Sequence, residues 1–269
     1  MIIDFHTHTF PDKIAQKTID FLAAKANIPP FSDGSLSGLK ERIEKSHVDL
    51  AVNLPVLTNP AAFESINRFA LEINAEYAEK GEKVLSFAGI HPACEDIEDK
   101  MKWIKEQGFL GVKIHPDYQE TFIDDEGYIK ILECAKELDL IVTTHAGVDC
   151  GYPDSPVRCT PERAKKVIDK VGHAKLVLAH LGANEMADEV YDILAGEDVY
   201  FDTAYILRFI GKERFVKILE KHGEDKILFA TDSPWSDIGG DVEILKSFAL
   251  GETTEEKIFG KNAEKLLNL

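Results

Sequence analysis

Nine histidines are the residues from which chemistry can start, and six of them end or follow short apolar runs. His6 and His8 belong to the first run, His91 to the third, His115 to the fourth, His145 to the fifth and His180 to the sixth. His47, His173 and His222 precede runs instead and read as surface or capping residues. His6 and His8 lie two apart, so on a strand both side chains point the same way and set two imidazoles side by side. That is a ready pair of metal ligands. Asp232 follows the apolar run ILFA, where a carboxylate is costly unless a positive partner meets it. A divalent cation supplies that partner, and imidazoles with a carboxylate suit zinc best, with iron, manganese and nickel left open.

These side chains need elements to carry them. Eight apolar runs recur: Ile2–Phe5, Val48–Leu54, Val84–Ile90, Phe109–Ile114, Leu140–Thr144, Leu176–Ala179, Val199–Phe201 and Ile227–Ala230. Their β-branched and aromatic content predicts strands buried on both faces. Amphipathic helical segments separate them. Asn59-Pro60 and Thr160-Pro161 are helix starts, and Gly81 is a helix stop. Eight such units predict an α/β fold, one (β/α)8 TIM barrel filling residues 1–269 as a single domain. An open doubly wound sheet would want a glycine-rich turn after the first strand, where this chain has HTHTFPDK. In a barrel the C-terminal ends of the strands form the active face, which is where six histidines fall. Two long loops, 28–38 and 146–159, stand ready to cover it.

Composition narrows the function. The 269 residues carry 31 Lys and Arg against 48 Asp and Glu, a net charge of −17. Such a chain repels phosphate backbones and anionic lipid, which argues against nucleic-acid or membrane work. No apolar run reaches the length of a membrane span and the N-terminus has no leader pattern, so a cytoplasmic protein is expected. The four cysteines make no disulfide scaffold, although Cys150 and Cys159 flank one loop and leave a ligand or redox pair open.

The succession HTH, GVKIHP, VTTHAG, LAHLG, FDTA, ATDSPW and EEKIFGKNAEKLL resembles the amidohydrolase superfamily. It is most similar to the amidohydrolase-related (amidohydrolase 2) branch, which includes enzymes like aminocarboxymuconate-semialdehyde decarboxylase. The resemblance runs from residue 2 to 268 and implies a TIM barrel with a metal held by His6, His8, His145 and Asp232.

The chemistry expected is metal-dependent hydrolysis. A divalent ion brings the pKa of bound water toward ~7, and that water attacks a small amide, lactone or ester, with or without a carboxylate. Asp232 is the expected general base and acid, and His180 a second acid–base group or a ligand of a second ion. One ion is favoured and two remain open, because Lys113 stands near the place where a carboxylated lysine bridges two metals in binuclear members. Lys113, His115 and Arg158 are the expected substrate-binding residues, and Arg208, His91, Tyr152 and Trp235 are further candidates. Asp4 shares the parity of His6 and is a candidate to orient a ligand imidazole. Non-oxidative decarboxylation of a small unsaturated or aromatic acid on the same site is the alternative, and a metal-stabilised ligand-binding barrel is the non-enzyme reading. The partner expected is a small molecule, with a homo-oligomer left open.

Overall fold

The computed structural model describes all residues, 1–269. Each of the eight runs forms a strand, and the third is split in two. The strands are β1 (Ile3–Thr7), β2 (Leu50–Asn53), β3 (Val84–Ser86), β4 (Ala88–Gly89), β5 (Gly111–Ile114), β6 (Ile141–Thr144), β7 (Leu176–Leu178), β8 (Tyr200–Asp202) and β9 (Ile227–Leu228). Every neighbouring pair is parallel, in two arcs ordered β1-β2-β3 and β4-β5-β6-β7-β8-β9. Phe87 interrupts the third run, so β3 and β4 are two halves of one barrel strand.

The ring closes between its first and last strands. Phe5 N donates to Phe229 O at 2.9 Å, Asp232 N to His6 O at 2.8 Å and His8 N to Ser233 O at 2.7 Å. The fold is a (β/α)8 TIM barrel. One apolar cluster collects Ile3, Leu50, Leu85, Ile141, Val177, Tyr200 and Leu228, residues from strands all round the ring, and so fills its inside. A larger cluster of 46 buried residues packs the helices onto the outside.

The helices begin and end where the chain signals them. Asn59 Oδ1 accepts from Ala61 N at 3.0 Å before the helix Phe63–Lys80, and Gly81 ends it at φ 66°. Thr160 caps Pro161–Val171. Helix α1 (Asp12–Ala26) departs from this pattern. Only Ala15 and Ile19 are buried in it, and Phe21 is 66% exposed. It stands over the C-terminal mouth of the barrel rather than against its wall, so its apolar residues face the site instead of the core.

One helix residue carries an electrostatic cost that can be measured. Asp241, in the helix Ile238–Ser247, is buried with neither carboxylate oxygen hydrogen-bonded. Burial pushes its pKa up to about 7 from an ordinary 3.8. The folded chain therefore holds a proton that the unfolded chain releases, and stability falls as pH rises from about 4 through 7. Asp241→Asn is expected to remove that slope and raise the melting midpoint at pH 8 by roughly 2–4 °C per kcal/mol gained. Thermal melts at pH 5 and pH 8 check it; an unchanged difference between the two pH values in the variant would refute the assignment.

Candidate metal centre

The strand ends assemble the site, and a bulge aims its first candidate ligand. Between Asp4 and Thr7 the register against β2 slips, with three steps of β1 facing two of β2. An extra residue of this kind re-aims the side chains that follow. Phe5 joins the interior cluster while His6 turns to the mouth and Asp4 turns away from it. Asp4 accepts from Thr231 N at 2.9 Å and Thr231 Oγ1 at 2.6 Å, tying the last strand to the first. The shared parity of Asp4 and His6 therefore does not survive, and Asp4 orients no imidazole. Asp202, at the end of β8, does that instead. Its Oδ2 lies 2.8 Å from His6 Nδ1, and its Oδ1 accepts from His180 N at 2.9 Å.

His6, His8 and Asp232 bring one ligand atom each within 4.8 Å of one another. His6 Nε2 is 3.2 Å from His8 Nε2, and Asp232 Oδ1 is 3.6 Å and 3.1 Å from the two nitrogens. Bonds of about 2.0–2.1 Å to a tetrahedral ion set donor atoms ~3.3 Å apart, so this spacing fits a common ion. The protons agree. His6 Nδ1 faces Asp202, and His8 Nδ1 faces Leu54 O at 2.8 Å, so each ring spends its N–H on an acceptor. In neutral rings both Nε2 lone pairs then converge with a carboxylate, an arrangement that a cation satisfies.

Charge keeps the centre ready. Burial, reinforced by the Lys113 ammonium, holds His6 well below the ordinary imidazole range. Burial alone would raise the Asp232 carboxyl, but the imidazoles of His8 and His6 beside it outweigh burial and hold it low. Lys113 is 1% exposed with Nζ 2.9 Å from His6 Nε2, and burial brings its pKa down to about 8.

His145 and His180 form the adjoining half. His180 Nδ1 bonds Ala204 O at 2.9 Å, and its Nε2 meets His145 Nδ1 at 2.9 Å. Burial, with Lys113 beside it, takes His145 down to about 3, so the ring is neutral. His145 lies not with His6, His8 and Asp232 but with His115 and Asp149, its ring stacked on His115 at 4.3 Å between centroids. His115 Nε2 is 3.3 Å from Asp149 Oδ2.

These groups line a cavity of about 500 Å³, together with Phe10, Tyr118, Tyr152, Tyr205 and Trp235. Lys113, His115 and His180 face it, as do Tyr152 and Trp235. Arg158 does not; its Nη1 lies 3.4 Å from Asp117 Oδ1, behind His145. Arg208 is also spent elsewhere, donating to Trp235 O at 3.0 Å and Ser236 Oγ at 3.1 Å. His91 turns back to accept from Ala93 N at 3.0 Å. Cys150 and Cys159 are free thiols, and Cys159 is wholly buried. The loop 28–38 supplies Ile28 to the cavity and is pinned to the β9 end by Phe31 N donating to Pro234 O at 2.7 Å.

Three contributors escaped the sequence reading. Asp202 was visible only as part of FDTA, with nothing in the chain to pair it with His6. Asp149 sits in a loop without periodicity. Helix α1 supplies Thr18, Phe21, Leu22, Lys25 and Ala26 to the cavity, and only its weak burial in the structure tells it from a helix that packs on the core.

A family model described as Amidohydrolase matches residues 3–269. No curated protein matches by sequence. Solved structures do match in fold. A TIM-barrel protein from Bordetella bronchiseptica is 17% identical with a TM-score of 0.77, covering 99% of this chain and 98% of that one. A 2,6-dihydroxybenzoate decarboxylase from Rhizobium is 16% identical with a TM-score of 0.69, over 99% and 98%. A dihydroxybenzoic acid decarboxylase from Polaromonas, with bound manganese and the inhibitor 2-nitroresorcinol, is 15% identical with a TM-score of 0.71, over 100% and 97%.

Proposed function

The chain belongs to the amidohydrolase family, and from that premise we propose that it is a metal-dependent, non-oxidative decarboxylase of a small aromatic or unsaturated carboxylic acid. The observation that carries this over hydrolysis is where the carboxylates of the cavity are spent: of the two that line it, Asp232 is committed to His6 and His8 and Asp149 is turned to His115. The walls also suit a flat acid: four of the lining residues are aromatic rings of Tyr or Trp, above a floor of imidazoles and the Lys113 ammonium. The similar structures of a dihydroxybenzoic acid decarboxylase with bound manganese and of a 2,6-dihydroxybenzoate decarboxylase support the same reading.

His6, His8 and Asp232 would hold the ion, and His145 joins them if its ring turns from His115. A divalent ion there, manganese or zinc, supplies a Lewis-acid point that holds and polarises the substrate oxygens. Lys113 neutralises the carboxylate on the floor, and the aromatic walls align the ring and exclude water. His180, fixed by Ala204 O, is the group assigned to pass a proton to the carbon that loses CO2. The carbon–carboxylate bond breaks, its electron pair stays with the carbon, and the new C–H bond takes up the proton. Hydrolysis of a carboxylated lactone or amide is the second reading, favoured by the opening of both Asp232 and His180 onto the same cavity. No helix is long and apolar enough to cross a membrane, and the free thiols are compatible with a cytoplasmic setting.

Assay of the manganese- and zinc-loaded protein on hydroxybenzoates beside lactones and cyclic amides separates these. The expected result is CO2 release that a chelator abolishes. Hydrolysis without CO2 would replace the first reading by the second.

A further inference from the structure

Lys25 is a cation that the barrel chemistry leaves unused. It sits in the last turn of α1 and lines the cavity at its mouth, whereas Lys113 lies at the floor. In a chain with 48 acidic residues it makes no ion pair. Its ammonium rests instead on aromatic faces, 3.3 Å from the Tyr152 ring centroid and 5.2 Å from that of Tyr118. Two rings from different loops thus hold one charge across the entrance, an arrangement that fixes an ammonium without neutralising it. Both arginines expected to meet an anionic substrate, Arg158 and Arg208, are committed to Asp117 and to the Trp235–Ser236 backbone and hydroxyl. Among the lining residues, Lys25 and Lys113 are therefore the only ammonium or guanidinium groups. A cavity of about 500 Å³ also extends well beyond a single metal-held carboxylate.

We propose that Lys25 is a specificity-determining residue that reads a second anionic group, at the end of the substrate remote from the metal, so that the preferred substrates are aromatic or unsaturated diacids. The inference rests on the carboxylic-acid reading of the site and adds a second point of recognition to it. Tyr152 and Tyr118 position the ammonium, and the exposed side chains of α1 form the wall along which the substrate body lies.

Calorimetric titration of the manganese-loaded protein with benzoate, isophthalate and terephthalate tests it. The unaltered protein is expected to bind at least one diacid about tenfold more tightly than benzoate, and the ratio should shrink in high salt. Lys25→Met is expected to bring the ratio near one, Lys25→Arg to keep it, and Lys17→Met, an exposed residue of the same helix outside the cavity, to leave it unchanged. Equal affinity for benzoate and both diacids, or a preference that persists in Lys25→Met, would overturn the role of Lys25 while leaving the carboxylic-acid reading intact. Failure of benzoate and both diacids to bind the loaded protein would overturn that reading, and this inference with it.

Discussion

Asp232→Asn is expected to lose the bound metal and to reduce turnover by at least a thousandfold. The substitution keeps the shape of the side chain and removes its charge, so the two imidazoles lose the one anion that meets their Nε2 atoms, at 3.1–3.6 Å. Holding a divalent ion on two neutral rings alone forfeits several kcal/mol, and each 1.4 kcal/mol is a factor of ten. His6→Ala should behave alike, since its Nε2 is the atom shared by His8, Asp232 and Lys113. Metal content by elemental analysis, read beside activity, checks both variants. A second readout is stability: an ion bound at a hundred times its Kd adds about 2.7 kcal/mol to folding, so added manganese should raise the melting midpoint of the unaltered protein and not that of the variant. An Asp232→Asn protein with full metal content would remove Asp232 from the ligand set. Asp202→Asn belongs to the same series with a smaller effect, about 10- to 100-fold in metal affinity, because it orients His6 without touching the ion.

The contrast between Asp232 and Asp202 shows what the chain discloses and what it withholds. The barrel was legible because strands buried on both faces leave runs such as LAVN and LIVTT, and the helices between them carry their own starts and stops. Strand ends were legible to within two residues, enough to sort six histidines onto the active face. Partners across the barrel were not. His6 and Asp202 are 196 residues apart, and only closure of the ring brings them to 2.8 Å. The bulge in β1 is equally silent, since one extra residue changes the direction of Asp4 without altering the apolar pattern. Arg158 shows the reverse error: a cation in the right loop turns to a nearer, buried carboxylate. Proximity in a loop fixes the neighbourhood of a side chain but not its partner. Helix α1 illustrates a further limit, because a helix that covers a cavity has the same amphipathic spacing as one that covers a core.

Lys113→Met should separate metal binding from turnover. Lys113 is buried without a carboxylate in ion-pair range, and its ammonium points at His6 Nε2, the lone pair the metal requires. Metal and ammonium therefore compete for one nitrogen, and the bound state has to move the charge off it. Replacing Lys113 by an apolar side chain of similar length removes the competitor and the cost of a buried charge together. Metal affinity is expected to rise about tenfold, while turnover on a carboxylic acid falls roughly 100- to 1,000-fold, the loss seen when one fixed charge facing a reacting group is removed. The two readouts move in opposite directions, which no general damage to the fold would produce. If metal content falls with activity instead, Lys113 is a ligand or a bridge between two ions, and the site is binuclear. If turnover stays within twofold of the unaltered protein, the substrate carboxylate does not meet the floor of the cavity, and its recognition lies with the imidazoles and the metal alone.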